Sequence, residues 1–105
     1  MNRNFKMVLQ YEGTRYNGWQ KQGNTSDTIQ GKLEQILERM AGEPVEVQGS
    51  GRTDAGVHAA GQTANFRLSE GFFRSRGLFR QEEAYLKSYL NRYLPDDIGV
   101  LSVEE

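Results

Sequence analysis

Apolar and polar positions alternate through FKMVLQY, residues 5–11, with Phe5, Met7, Leu9 and Tyr11 on one side and Lys6 and Gln10 on the other. A period of two predicts a strand with one buried face. The alternation ends in EGTRYNGWQKQGNTS, residues 12–26, whose Gly, Asn and Thr predict a long loop. Connections of that length without their own structure are often functional. Asp27 is expected to open a helix, with Gln30 three positions on in capping-box spacing. Ile29, Leu33, Ile36, Leu37 and Met40 then fall on one helical face, and Gly42 and Pro44 end it.

Val45 and Val47 alternate with Glu46 and Gln48, which predicts a short strand. Residues 61–68, GQTANFRL, alternate again, with Ala64, Phe66 and Leu68 on one side. Residues 69–80 fit no period: Phe72, Phe73, Leu78 and Phe79 lie among arginines, with Gly71 and Gly77 as breakers. Residues 82–94 predict a helix with a stripe of Leu86, Tyr89, Leu90, Tyr93 and Leu94, closed by Pro95, and IGVLSV predicts a last strand. The order β-α-β-β-α-β defines an α+β, ferredoxin-like arrangement: a four-stranded antiparallel sheet with two helices on one face. Such a sheet leaves one open face and two edges, which something else is expected to cover.

A chain of 105 residues suits a single domain with one core, and it holds no internal repeat, low-complexity segment or linker. The absence of cysteine excludes disulfides and thiolate metal sites and fits a reducing, cytoplasmic setting. No apolar run is long enough to cross a membrane, and the start MNRNFKMVLQY lacks the apolar core of a signal peptide. Net charge is −1, but it is unevenly spread. Arg3, Lys6, Arg15 and Lys21 make residues 1–26 basic, and Arg67, Arg74, Arg76 and Arg80 do the same for 67–80, whereas residues 27–66 and 81–105 are acidic. The two basic segments are candidates to meet on one face and attract phosphates; a solvated mixed surface accounts for the same distribution.

The densest chemistry lies in GSGRTDAGVHA, residues 49–59. A dinucleotide loop would need glycine where Asp54 stands, and no Gly-Lys-Ser/Thr is present for a phosphate loop. Asp54 and His58 alone are too few ligands for a metal. Asp54 beside Arg52 stays ionised and suits a nucleophile or a base, while Arg52 suits a phosphate or a stacked base. Taken alone, the same residues also fit a turn cap with a surface partner. His58, the single histidine, fits a buried hydrogen-bonding role as well as a site role. Tyr16 and Trp19 beside Arg15 and Lys21 suit stacking on unpaired bases, and Trp19 equally suits a core.

GSGRTDAGVHA followed by GQTANF resembles the signature of the tRNA pseudouridine synthase A family. Three further blocks agree in order: Tyr16, Gly18, Trp19, Gln20 and Gln22 after the first strand; Thr28, Ile29 and Gln30 at the first helix; and Leu90, Asn91, Leu94, Pro95, Asp97 and Ile98 near the end. The resemblance runs from about residue 5 to residue 103. It implies an enzyme that isomerises uridine to pseudouridine in the anticodon stem-loop of tRNA, without metal or organic cofactor. It puts Asp54 at the essential aspartate, as nucleophile or as base, and Arg52 at an arginine that replaces the flipped base. Thr53, His58, Tyr16, Trp19, Arg15 and Lys21 are then expected around the site or the RNA path. Family members are longer, carry a second domain of similar topology and pair as homodimers. Residues 1–105 are therefore expected to be the N-terminal, aspartate-bearing half, inactive without the C-terminal half that supplies a tyrosine and a basic residue. Two rivals share the fold: a bare RNA-binding module, whose strand motif is missing here, and an acylphosphatase-like hydrolase, against which the Asp54 carboxylate argues.

Overall fold

Strand β1, Asn2–Tyr11, lies inside a four-stranded sheet. It pairs antiparallel with β3, Ala59–Ser69, on one side and with β4, Ile98–Glu104, on the other. The short β2, Val47–Gly49, pairs antiparallel with β3, so the order is β2-β3-β1-β4. The chain is described here by a computed structural model that covers residues 2–19, 28–49, 59–78 and 80–105. Helices α1, Ile29–Ala41, α2, Glu70–Ser75, and α3, Glu82–Tyr93, complete the ferredoxin-like α+β architecture.

The alternation in the sequence sets the inner face. Phe5, Met7, Leu9 and Tyr11 of β1 are buried, as are Ala64, Phe66 and Leu68 of β3. Register brings Phe5 opposite Phe66 and Met7 opposite both Ala64 and Val103. The Phe5 and Phe66 rings stack at 5.8 Å, one of the cross-strand pairs that stabilise a sheet. Leu33, Leu37 and Met40 of α1 and Leu86 and Leu90 of α3 close the core above that face. The opposite face is polar: Asn4, Lys6, Asn65 and Arg67 face away from the core, and Asn65 donates to the Asn4 side chain at 3.2 Å.

Three expectations are corrected. Helix α1 is capped by Thr28, whose hydroxyl accepts from the Gly31 amide at 3.1 Å; Asp27 lies outside the described residues. The gain is one of position, because a buried Thr28 satisfies the amide from within the fold. The stretch 69–80, which showed no period, contains α2. Its adjacent rings point to different neighbours: Phe73 lies 5.4 Å from Phe5, and Phe72 lies 6.3 Å from Tyr85. The stripe on α3 also divides, for Leu86, Leu90 and Leu94 are buried while Tyr93 is half exposed. Among the described residues, no helix is long and apolar enough to cross a membrane.

Candidate functional site

Three strand ends meet at one end of the molecule, and β2 runs toward that end but stops opposite Ala64 in the middle of β3. Tyr11 closes β1 between Ala59 and Ile98, the first residues of β3 and β4, and β2 ends at Gly49. The glycine-rich block therefore leaves the sheet at Gly49 and rejoins it at Ala59. Arg52, Thr53, Asp54 and His58, the predicted catalytic and base-binding residues, lie outside the described residues, as does Lys21. What the structure defines is the frame on which that block is hung.

The first part of the frame is a clamp on the loop after β1. Asp97 accepts from Arg15 Nε at 2.8 Å on one carboxylate oxygen and from the Tyr16 hydroxyl at 2.6 Å on the other. Its carbonyl also accepts from the Glu12 amide at 2.8 Å. The Arg15 hydrogen bond is the largest cause holding the Asp97 carboxyl below its ordinary range, with the Tyr16 hydroxyl reinforcing it. Burial, and then the bond to Asp97, push the Tyr16 phenol up to about 12. At neutral pH the phenol thus keeps its proton and donates it to a charged acceptor. Arg15 stays largely exposed, with 66% of its side-chain surface open to solvent, so the same guanidinium that holds Asp97 faces outward.

The second part is an indole seated on a glycine. Trp19 is buried beside Tyr11, with ring centroids 6.5 Å apart. A Cβ at Gly49 would come within 2.5 Å of Trp19 Nε1 and 2.6 Å of its Cε2. Only glycine allows the ring to lie against the backbone where residues 50–58 begin. The Trp19 and Gly18 carbonyls accept from the Gln30 and Ile29 amides, so the same loop caps the start of α1. Helix α1 in turn holds β2: Gln30 donates to the Val47 carbonyl at 2.7 Å, and Glu34 accepts from the Val47 amide at 3.0 Å.

The third part ties α3 to β4. The Asn91 amide group donates to the Val100 carbonyl at 2.9 Å and accepts from the Val100 amide at 2.8 Å. Leu90, Leu94 and Ile98 enter the core around it. Sequence reasoning singled out these blocks but not their task. Tyr16 and Trp19, expected at the RNA path, are packed inside the frame, and Asp97, Gln30, Asn91 and Gly49 hold it. No local signal assigned these tasks, because each partner comes from a distant block.

Lys6 and Arg67, one from each basic segment, share the open face of the sheet, and several of the other cations are paired within the fold. Arg3 is held by Glu105 and Glu82, Arg15 by Asp97, and Arg74 pairs with Glu70 at 3.7 Å. Arg76 lies over the Phe72 ring at 4.0 Å and donates to the Met40 carbonyl. The acidic segment 81–105 supplies three of these acceptors, so much of the local positive charge is answered within the fold.

The described residues define a ferredoxin-like domain whose β2 and β3 flank the glycine-rich Arg-Thr-Asp block, and the fold alone assigns no activity. A family model described as tRNA pseudouridine synthase matches residues 7–105, and the chain belongs to that family. It is 53% identical over 100 residues to tRNA pseudouridine synthase A of Bacillus sp. (strain KSM-64), covering 95% of this chain and 37% of that protein. It is 46% identical over 102 residues to tRNA pseudouridine synthase A 2 of Bacillus cereus (strain ATCC 14579), covering 97% of this chain and 38% of that protein. With tRNA pseudouridine synthase A of Acetivibrio thermocellus it shares 42% identity over 103 residues, 98% of this chain and 38% of that protein. The chain thus spans little more than a third of the length of the curated relatives it matches.

Proposed function

We propose that this chain is the N-terminal, aspartate-bearing part of an enzyme that converts uridine to pseudouridine in the anticodon stem-loop of tRNA. In that reaction the bond from the sugar C1′ to uracil N1 breaks, the base turns within the site, and C1′ joins uracil C5. C5 gives up its proton and N1 gains one, so the isomerisation balances without an external reactant. Asp54 acts at the sugar as nucleophile or base. Arg52, planar and always charged, fills the gap left by the extruded nucleotide. Thr53 and His58 line the base, and Arg15 and Lys21 face the RNA backbone. Tyr16 and Trp19 serve the site from beneath, through the frame that carries the block. The complete enzyme works in the cytoplasm on tRNA and pairs as a homodimer.

The observation that carries this reading is the support given to both ends of the block: Gly49 lies against Trp19, and Ala59 is registered against Tyr11. Pre-organised catalysis needs its polar groups carried by a fixed scaffold, and both flanks of the nine-residue block are fixed ones. The test is a chimera in which residues 1–105 replace the matching stretch of the Bacillus sp. relative. It is expected to release tritium from tRNA labelled at uracil C5, and Asp54→Asn is expected to abolish release. Residues 1–105 alone are expected to release none. A folded chimera that is silent while the parent relative turns over would overturn the reading, as would turnover by the isolated chain.

A further inference from the structure

The aromatic-and-cation pairing sought in the YNGWQ loop exists elsewhere in the fold. Between α1 and α3 runs a groove of about 250 Å³ whose lining includes Lys32, Ile36, Arg39, Tyr89, Tyr93 and Pro95. Tyr93 is 50% exposed, its ring centroid lies 4.7 Å from that of Tyr89, and the Arg92 guanidinium sits 5.7 Å from it. Among the described residues its charged lining is Lys32 and Arg39. A polyanion is therefore drawn to the helical groove.

Position adds to charge. Lys32 stands in the first turn of α1 and Tyr93 is the last residue of α3. Both lie toward the end of the fold where Tyr11, Ala59 and Ile98 meet, since α1 starts from Gly18 and Trp19 and α3 leads into β4. A strand engaged there can continue into the groove without crossing the molecule. A second copy of this chain is a poor occupant, since a two-fold contact would bring two cationic linings together. An RNA strand meets both needs, with phosphates for the cationic side chains and a base for the open tyrosine face.

We infer that the α1–α3 groove is a second RNA-contact surface, in which an unpaired nucleotide stacks on Tyr93 and adjacent phosphates lie against Lys32 and Arg39. The inference rests on the proposed activity on tRNA, and it is tested separately from it. The probe is a fluorescein-labelled, unmodified tRNA transcript titrated with the 105-residue chain by anisotropy at several salt concentrations. Tyr93→Ala is expected to weaken binding about 5-fold or more, and Tyr93→Phe to restore it, because the ring and not the hydroxyl carries stacking. Arg39→Gln is expected to reduce the salt slope by about 0.7–0.9, one phosphate contact. Arg74→Gln, the same charge change on α2, is expected to alter affinity less than about 2-fold.

Both groove positions are exposed, and matching far-ultraviolet circular dichroism confirms that the variants fold. Binding that ignores Tyr93→Ala and Arg39→Gln overturns the groove while leaving the activity on tRNA intact. Absence of tRNA binding by the chain, beside a chimera that turns over, does the same. Loss of self-association in the Tyr93 variant, measured by sedimentation, would also overturn it by making the groove a contact between copies. A silent chimera removes the activity reading instead.

Discussion

The two ends of the sheet use the same materials to different effect. At the end where the glycine-rich block departs, one carboxylate, Asp97, gathers an arginine and a phenol and is only 13% exposed in its side chain. At the far end, one arginine, Arg3, gathers two carboxylates, Glu82 and Glu105, and lies 4.8 Å from the Phe73 ring. Glu105 there is 42% exposed. Exposure does not separate the two clusters, since Arg3 and Glu82 are 24% and 14% exposed in their side chains and Arg15 is 66% exposed; what sets the near one apart is the buried Tyr16 ring that locks a loop. The near end also holds most of the sequence blocks on which the resemblance to the family rests. The lesson is that a motif residue can be kept for the rigidity it gives to its neighbours rather than for what it touches in a substrate.

The largest break in this comparison comes from the indole. Trp19→Ala is expected to cost about 3–5 kcal/mol in urea unfolding, the usual loss for a buried aromatic. Gly49→Ala forces a methyl into the ring and is expected to cost about 1–3 kcal/mol. In the Trp19→Ala background that second cost should fall close to zero, since the obstructing ring is gone. An equal cost in both backgrounds would mean that Trp19 is not why position 49 is glycine.

A smaller effect separates the two ends on the alkaline side only, since Glu82 and Glu105 are depressed at the far end as Asp97 is at the near one. The Asp97 carboxyl has an ordinary value of 3.8 and is depressed in the fold, mainly by Arg15. Its contribution to stability is complete above 3.8 and is lost as pH falls from there through the depressed folded value. Tyr16 runs the other way: its phenol rises from 10.0 to about 12, so its contribution is present below 10.0 and is lost as pH rises toward 12. Asp97→Asn should flatten the acid limb of the stability profile, and Tyr16→Phe the alkaline limb. A Tyr16→Phe profile as steep as the parent's between those values would show that the buried phenol is not linked to folding.

The sequence made β1, α1 and β3 legible because each buries one face over enough residues for a period to appear. Helix α2 was not legible, because six residues hold too few turns and Phe72 and Phe73 are buried on different neighbours. The cap of α1 was misread by one position because Asp27 and Thr28 are both good capping types, and only the fold decides between them. At the site, the expected roles of Arg52 and Asp54 come from the chain itself, and both residues lie outside the described ones. The burial of Tyr16 was not, since its partner Asp97 lies 81 positions away and no local pattern encodes that contact. Trp19 sits in a polar stretch, and the glycine that receives it is read as a catalytic-loop residue until the ring is placed. The α3 stripe was sound for Leu86 and Leu90 but too generous by two tyrosines, which face the groove.

The smallest prediction sharpens the contrast by changing its sign. Gly71 stands in the first turn of α2 at the far end, and a Cβ there would meet nothing within 4 Å. Its φ lies outside the left-handed region, so alanine adopts the same backbone without strain. Gly71→Ala removes conformational freedom from the unfolded chain and favours the helix, for a gain of up to about 0.5–1 kcal/mol. The same substitution is thus expected to destabilise at Gly49 and stabilise at Gly71. A loss at both positions would locate the penalty in the backbone rather than in the ring of Trp19, and the difference between the two ends would reduce to local chain geometry.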